Sequence, residues 1–338
     1  MPTFASLGRV AAAAALCLGG LSHAADFPER QMRASLSLGK DHSLGIGLQK
    51  VAACVAQKTG DKMKITPFFD SQLGGDAPAI QQLRSGTLDM VIAATASTTA
   101  VVPAAGVFDL PFLIANEKEA DALLDGKAGE LLAAKMPAVG LVSLGYWEYG
   151  YRQTTNSRHP ITKMEDLHGL KMRVMPNPVM VDGFKELGAF SMTMPLSELY
   201  TALETKAVDG QENPFSTIEL NKFYEVQKYL SLTRHMYNPV MVLFSRRVFD
   251  RLTPPEQQVL RTCGAEGRDE QRRVNREQNV QSLERLKKLG MVINEVSPKE
   301  QQRMREKAQA LYDRQAPVIG AEMMDTVMGE LKRIRSGS

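Results

Sequence analysis

Short apolar runs of strand length alternate along this chain with segments of helical period, and that alternation narrows the fold more than any other feature. From Met32 the apolar side chains recur at every second position through Ala34, Leu36 and Leu38, and the chain then turns at residues 39–42. Leu44, Leu48, Val51 and Val55 follow at helical spacing until Gly60 offers a stop, and residues 64–69 read as a second strand. Asp76 is placed to cap a helix that runs through Arg84 and stops at Gly86, after which residues 88–93 form a third, mostly apolar strand. Mostly apolar strands separated by helices imply a sheet covered on both faces, an α/β fold.

The same grammar returns further on without any repeat of sequence. Residues 170–174 read as a strand, residues 178–187 as a helix, and Ser197 as the cap of a helix reaching about Lys206. Thr253-Pro254-Pro255-Glu256 is a capping box with proline at the first helical position. It opens a long helix that Gly290 ends, with Gly264 and Gly267 as candidate kinks. Ser297-Pro298-Lys299-Glu300 opens a second charged helix in the same way. A chain of 338 residues exceeds the usual single core. No flexible linker interrupts it, so two domains crossed more than once by the chain are expected.

Residues 1–24 read as a secretory leader. Arg9 supplies the positive start, residues 10–18 the apolar run, and Ser22-His23-Ala24 the small-x-small cleavage site, so the mature chain begins at Ala25 in the periplasm. No later stretch approaches the roughly 20 apolar residues of a membrane helix. Losing Arg9 takes the formal net charge from +3 to about +2, with no concentrated basic face to suggest a nucleic-acid partner. Two cysteines remain, Cys54 and Cys263. In an oxidising compartment they could pair, but spacing alone cannot bring their Cα atoms within reach, and two buried free thiols are the favoured expectation.

Motifs for chemistry are missing. His42, His159, His168 and His235 show no metal-ligand spacing, and the chain has no HExxH, CxxC, GxSxG or GxxxxGK[ST]. Polar groups gather instead at the ends of expected elements. In LKMRVMPNP, residues 170–178, Leu170, Met172 and Val174 alternate with Lys171 and Arg173. Arg173 therefore stands at the carboxyl end of a strand, where open α/β sheets bind ligands. YWEYGYR, residues 146–152, sets four aromatics beside Arg152, a composition common in small-molecule pockets. DGQENP, residues 209–214, is a turn in which Pro214 holds Asn213 extended.

In order and spacing these stretches resemble the DctP-like periplasmic substrate-binding proteins of tripartite ATP-independent periplasmic (TRAP) transporters. The resemblance is carried by SQLGGD at 71–76, LRSGTLDM at 83–90, FDLPFLI at 108–114, YWEYGYRQTTNS at 146–157, EDLHGLKMRV at 165–174 and ELYTALETKAVDGQENP at 198–214. It implies a two-lobed periplasmic binding protein fold with a long helix, several inter-lobe crossings and the ligand in the cleft. Lobe one would comprise residues 26–149 and 239–278, and lobe two residues 150–238 and 279–338. It also implies that Arg173 clamps the ligand's carboxylate by two parallel N–H donors, a geometry that lysine lacks, with Arg152 and Asn213 on the same acid group. Trp147 and Glu148 resemble the selectivity residues of sugar-acid binders, and His42, Thr95, Asn177, Leu196, Tyr237 and Asn238 complete the expected pocket. The implied protein is a monomer with no catalytic activity, cofactor or metal, which hands a small organic acid to large and small membrane subunits. A C4-dicarboxylate or aromatic acid as cargo, a secreted lyase or isomerase on the same fold, and the receptor of an ATP-driven importer are the alternatives.

Overall fold

The computed structural model describes residues 27–337, and the leader expected over residues 1–24 lies outside them. The opening folds as β1 (Arg30–Leu36), α1 (Ser43–Lys58), β2 (Met63–Phe68), α2 (Asp76–Ser85) and β3 (Met90–Ala94). α2 stops where Gly86 turns left-handed, at φ 81°. The short α3 (Thr95–Thr98), a 3-10 turn at Pro103–Asp109, α4 (Glu117–Leu124) and α5 (Lys127–Lys135) lead into a long strand, β4 (Leu141–Asn156). Then come β5 (Lys171–Val174), α6 (Pro178–Glu186), β6 (Phe190–Thr193), α7 (Leu196–Glu204), β7 (Gly210–Asn213), α8 (Phe215–Leu220) and a second long strand, β8 (Tyr229–Ser245). The chain closes with α9 (Arg246–Phe249), α10 (Pro254–Lys288), β9 (Val292–Glu295), α11 (Pro298–Ile319) and α12 (Ala321–Ser336).

The strands form one sheet in the order β2-β1-β3-β8-β4-β7-β5-β6, with β9 paired to β8. The parallel trio β2-β1-β3 belongs to one lobe and the parallel trio β7-β5-β6 to the other. The antiparallel pair β4 and β8 runs through both. Its register slips three times, including between Glu148 and Gly150. Gly150 has φ 101°, a conformation closed to residues with a Cβ, so the bend there needs glycine. α10 is a second bridge. Its Gln278 holds the backbone of Asp41 and Ser43 in the first lobe, whereas the next residue, Asn279, accepts from the Ser216 N–H in the second.

Thr253 caps α10 with the reciprocal box expected, Thr253 Oγ1 accepting from Glu256 N and Glu256 from Thr253 N. Helix continues unbroken through Gly264 and Gly267, so neither glycine breaks the helix as expected of a kink. A Cβ on Gly267 would lie 2.4 Å from Val51, and one on Gly47 would lie 2.8 Å from the Trp147 ring. The glycines let α10 and α1 press together. That close crossing brings Cys54 and Cys263 to a Cα separation of 5.6 Å, and they form a disulfide. The expectation of free thiols is thus corrected, because helix proximity across 209 residues leaves no local trace in sequence.

Two caps also fall differently. Gly75 and Pro195 occupy the N-cap positions of α2 and α7, so Asp76 and Ser197 stand inside the first turns with their side chains free for other partners. At the C-terminus, α11 packs on α6, but α12 packs on α4 and α5. Met323, Val327 and Leu331 join Leu123, Leu124 and Leu132 in one core, flanked by the pairs Lys135–Glu322 and Arg335–Glu119. Residues 321–336 therefore lie against α4 and α5.

Candidate functional site

Between the lobes lies a cleft of about 480 Å³. One wall is formed by the carboxyl ends of β1 and β3 and the start of α2, with Ser37, Asp76 and Ser97 as its polar groups. The other is formed by Arg173 at the end of β5, Met175, Pro176, the start of α7 with Leu196, and Asn213 at the end of β7. Tyr149, at the bend of β4, closes the base.

Arg173 is almost fully buried, yet it forms no ion pair among the described residues. Its Nε and Nη2 both donate to the Met194 carbonyl, at 3.0 and 2.7 Å, which uses two of five donors. Burial pulls its pKa down to about 10, with Glu212 acting in the opposite direction. Lys171, two residues earlier on the same strand, is exposed. The strand's alternation is as expected, and the buried setting of Arg173 comes from the lobe that faces it.

On the facing wall the Asp76 carboxylate accepts from the Ser37 hydroxyl and, at 2.7 Å, from Ser97. Asp76 is among the charges that act on Arg173. The cleft therefore sets a guanidinium poor in partners on one side against a hydroxyl-lined carboxylate on the other, with Glu198 as a second carboxylate at the start of α7 and apolar walls from Leu36, Leu38, Ile92 and Met175 between them.

Behind the cleft, Arg152 is fully buried and closely engaged. It pairs with Glu212 through Nε and through Nη2 (2.9 Å to Oε1), donates to the Glu212 carbonyl at 2.6 Å, and reaches Asn213 Oδ1 at 3.0 Å and Asn238 Oδ1 at 3.3 Å. Burial opposes both charges, but each holds the other ionised: the Arg152 pKa is raised and that of Glu212 lowered. His235 adds a contact of 3.2 Å to Glu212. Arg152 thus steadies Asn213, which is in the cleft wall, without lining the wall itself.

Of the residues expected to hold the ligand, Arg173, Asn213 and Leu196 line this cleft. His42 lines an adjoining pocket of about 410 Å³ that shares Leu38 with it and also draws on Lys40 and Asp41. The others are brought close but lie behind the wall. Trp147 is wholly inside the core, wedged where α1 meets α10. Glu148 faces α10, bonded to Asn275 at 2.9 Å and to Arg276 at 2.7 Å; burial raises its pKa and Arg276 resists. Tyr237 packs edge-on against Tyr151. Thr95, Asn177 and Asn238 converge on Asp109, whose carboxyl burial pushes up to about 7 against the pull of Thr95 and Arg152.

Asp76, Ser37, Ser97 and Tyr149 were not expected in the wall. Asp76 carried a signal that pointed elsewhere, since an aspartate at a helix start reads as a cap. Only the position of Gly75 as the actual cap frees its carboxylate.

The chain matches a family model described as bacterial extracellular solute-binding protein, family 7, over residues 34–317. It is 34% identical to the 2,3-diketo-L-gulonate-binding periplasmic protein YiaO of Escherichia coli, over 82% of this chain and 86% of that one. Among solved structures it is similar to the sugar acid binding protein DctPAm of Advenella mimigardefordensis in complex with galactonate. That match has a TM-score of 0.89 and 42% identity, covering 91% of this chain and 99% of the other. It is also similar to a TRAP periplasmic solute binding protein of Sulfitobacter sp. NAS-14.1 with bound beta-D-galacturonate, with a TM-score of 0.84, 31% identity, and coverage of 88% and 98%. No helix among the described residues is long and apolar enough to cross a membrane. With its two-lobed fold and interlobe cleft, this chain belongs to the DctP family of extracellular solute-binding proteins, the receptors of TRAP transporters.

Proposed function

We propose that this receptor captures a small hydroxylated monocarboxylate, a sugar acid such as a uronate or aldonate, and delivers it from the periplasm to the large and small membrane subunits for ion-gradient-driven import. The mature protein, cut after Ala24, acts as a monomer and leaves its ligand chemically unchanged. The observation that carries this reading is the cleft that sets Arg173 against Asp76. Arg173 is a buried cation whose one hydrogen-bond acceptor among the described residues is a backbone carbonyl, and a ligand carboxylate supplies a counter-charge by charge-assisted bonds worth roughly 1.5–3 kcal/mol each. Asn213, steadied by Arg152, contributes an amide beside it. At the other end, Asp76 accepts from ligand hydroxyls as it does from Ser37 and Ser97. The same carboxylate argues against a C4-dicarboxylate, whose second charge would be brought towards an anion in a largely apolar cleft.

A thermal-shift screen of residues 25–338 against hexuronates, aldonates, C4-dicarboxylates, 2-oxo acids and aromatic acids tests the reading. A ligand at a hundredfold excess over its Kd adds about 2.7 kcal/mol to stability. The expected result is a shift with hydroxylated monocarboxylates that disappears in Arg173→Ala, whose affinity falls at least about tenfold. A shift with dicarboxylates alone, or one retained in Arg173→Ala, would overturn it. A changed mass of the recovered acid would point to the lyase or isomerase reading instead.

A further inference from the structure

Residues placed near the ligand by resemblance meet each other across the cleft seam. Asn177 is the N-cap of α6, and its Oδ1 accepts from Met180 N at 3.0 Å. Its amide then crosses to the other lobe, donating to Asp109 Oδ2 at 2.9 Å, the Ala96 carbonyl at 3.2 Å and Thr99 Oγ1 at 3.3 Å. The other oxygen of Asp109 is already taken, because Oδ1 accepts from Thr95 at 2.9 Å and from Asn238 on β8 at 3.0 Å. This leaves Oδ2 for Asn177. His42 repeats the arrangement on another part of the seam. It caps α1 by accepting from Leu44 N on Nδ1, so Nε2 carries the proton and donates to Thr217 Oγ1 at 3.2 Å or Ser216 Oγ at 3.3 Å on α8. In both cases a capping side chain uses its acceptor on its own helix and its donor on the opposite lobe.

We propose that Asn177 with Asp109, and His42 with Ser216 and Thr217, form a lobe-to-lobe clasp of positioning residues that holds the cleft shut and makes no contact with the ligand. Neither Asn177 nor Asp109 lines the cleft, although their neighbours Ser97, Met175 and Pro176 do. All the clasp side chains are buried with the seam closed, so each keeps its partner across the seam in that state and exchanges it for water when the lobes part. The inference goes beyond the identity of the cargo and rests on the receptor reading only in that the lobes part and close.

Substituting Asn177→Asp keeps the cap acceptor but sets a second carboxylate against Asp109. The double variant Asp109→Asn/Asn177→Asp restores one donor and one acceptor across the seam with their polarity reversed. Nitroxides introduced at the exposed positions Gln81 on α2 and Glu204 on α7 report lobe separation by electron–electron distance measurement in ligand-free protein. The expected result is an open-to-closed ratio raised about tenfold or more in Asn177→Asp, the worth of one charge-assisted bond, and returned towards wild type in the double variant. Thr217→Val, which removes a hydroxyl acceptor at the other contact, is expected to move the ratio the same way and stands in if Asn177→Asp does not fold. An unchanged ratio in the variants, a double variant that behaves like Asn177→Asp, or a wild type with no closed fraction would each overturn the clasp. Affinity for galactonate is measured in parallel. Absence of galactonate binding bears on the cargo alone and leaves the distances interpretable.

Discussion

Arg152 and Arg173 are equally hidden from water, at 0% and 2% exposure, yet they are built for opposite purposes. Arg152 has a carboxylate, a carbonyl and two amide oxygens around it, whereas Arg173 has one carbonyl. A buried charge without a counter-charge is unfavourable in the free protein. The difference teaches where the ligand's anion goes: to the guanidinium that has no ion-pair contact among the described residues. The sharpest way to break this comparison is to remove each charge in turn. Arg152→Met strands Glu212, and the expected loss is about 3–5 kcal/mol in denaturant unfolding. Arg173→Met strands no charge and only the Met194 carbonyl, so its ligand-free stability should stay within about 1 kcal/mol of wild type or rise, while acid binding is lost. Equal destabilisation by the two would mean that Arg173 is as structural as Arg152.

The disulfide offers the next largest effect and a control. It ties α1 to α10 at a separation of 209 residues, with no member in the cleft wall. Replacing Cys54 and Cys263 with serine should lower stability by about 2–4 kcal/mol and leave acid affinity unchanged when measured well below the melting temperature. A parallel loss of affinity would show that stability and binding are not separable in this fold, and would weaken any conclusion from Arg152.

The sequence was most legible where structure is local. The period of β1 and α1, the box at Thr253 and the stop at Gly86 depend on residues a few positions apart, and all stand where the pattern puts them. The DctP resemblance led to Arg173, Asn213 and Leu196 in the cleft. It could not separate wall from backing, because Trp147, Glu148 and Arg152 share a strand with Tyr149, and which of them faces the cleft is decided by the bulges of β4 and by α10 packing behind it. Asp76 was missed for the converse reason: one glycine taking the cap position changed what its carboxylate could do.

His42 meets the burial problem in a third way, by staying neutral. Burial drives its pKa from the ordinary value near 6.5 to about 3. Between those limits the unfolded chain binds a proton that the folded chain refuses, so stability present above pH 6.5 is lost as pH falls. At pH 5 the loss amounts to about 2 kcal/mol relative to pH 7. Urea unfolding of wild type and His42→Asn at the two pH values measures it; asparagine keeps a cap acceptor but does not titrate. Wild type should lose about 2 kcal/mol more than the variant on acidification, whatever their difference at pH 7. Equal losses would mean that the folded protein accepts the proton on His42, and the imidazolium would then join Arg173 as a second cation drawing an acid towards the seam between the lobes.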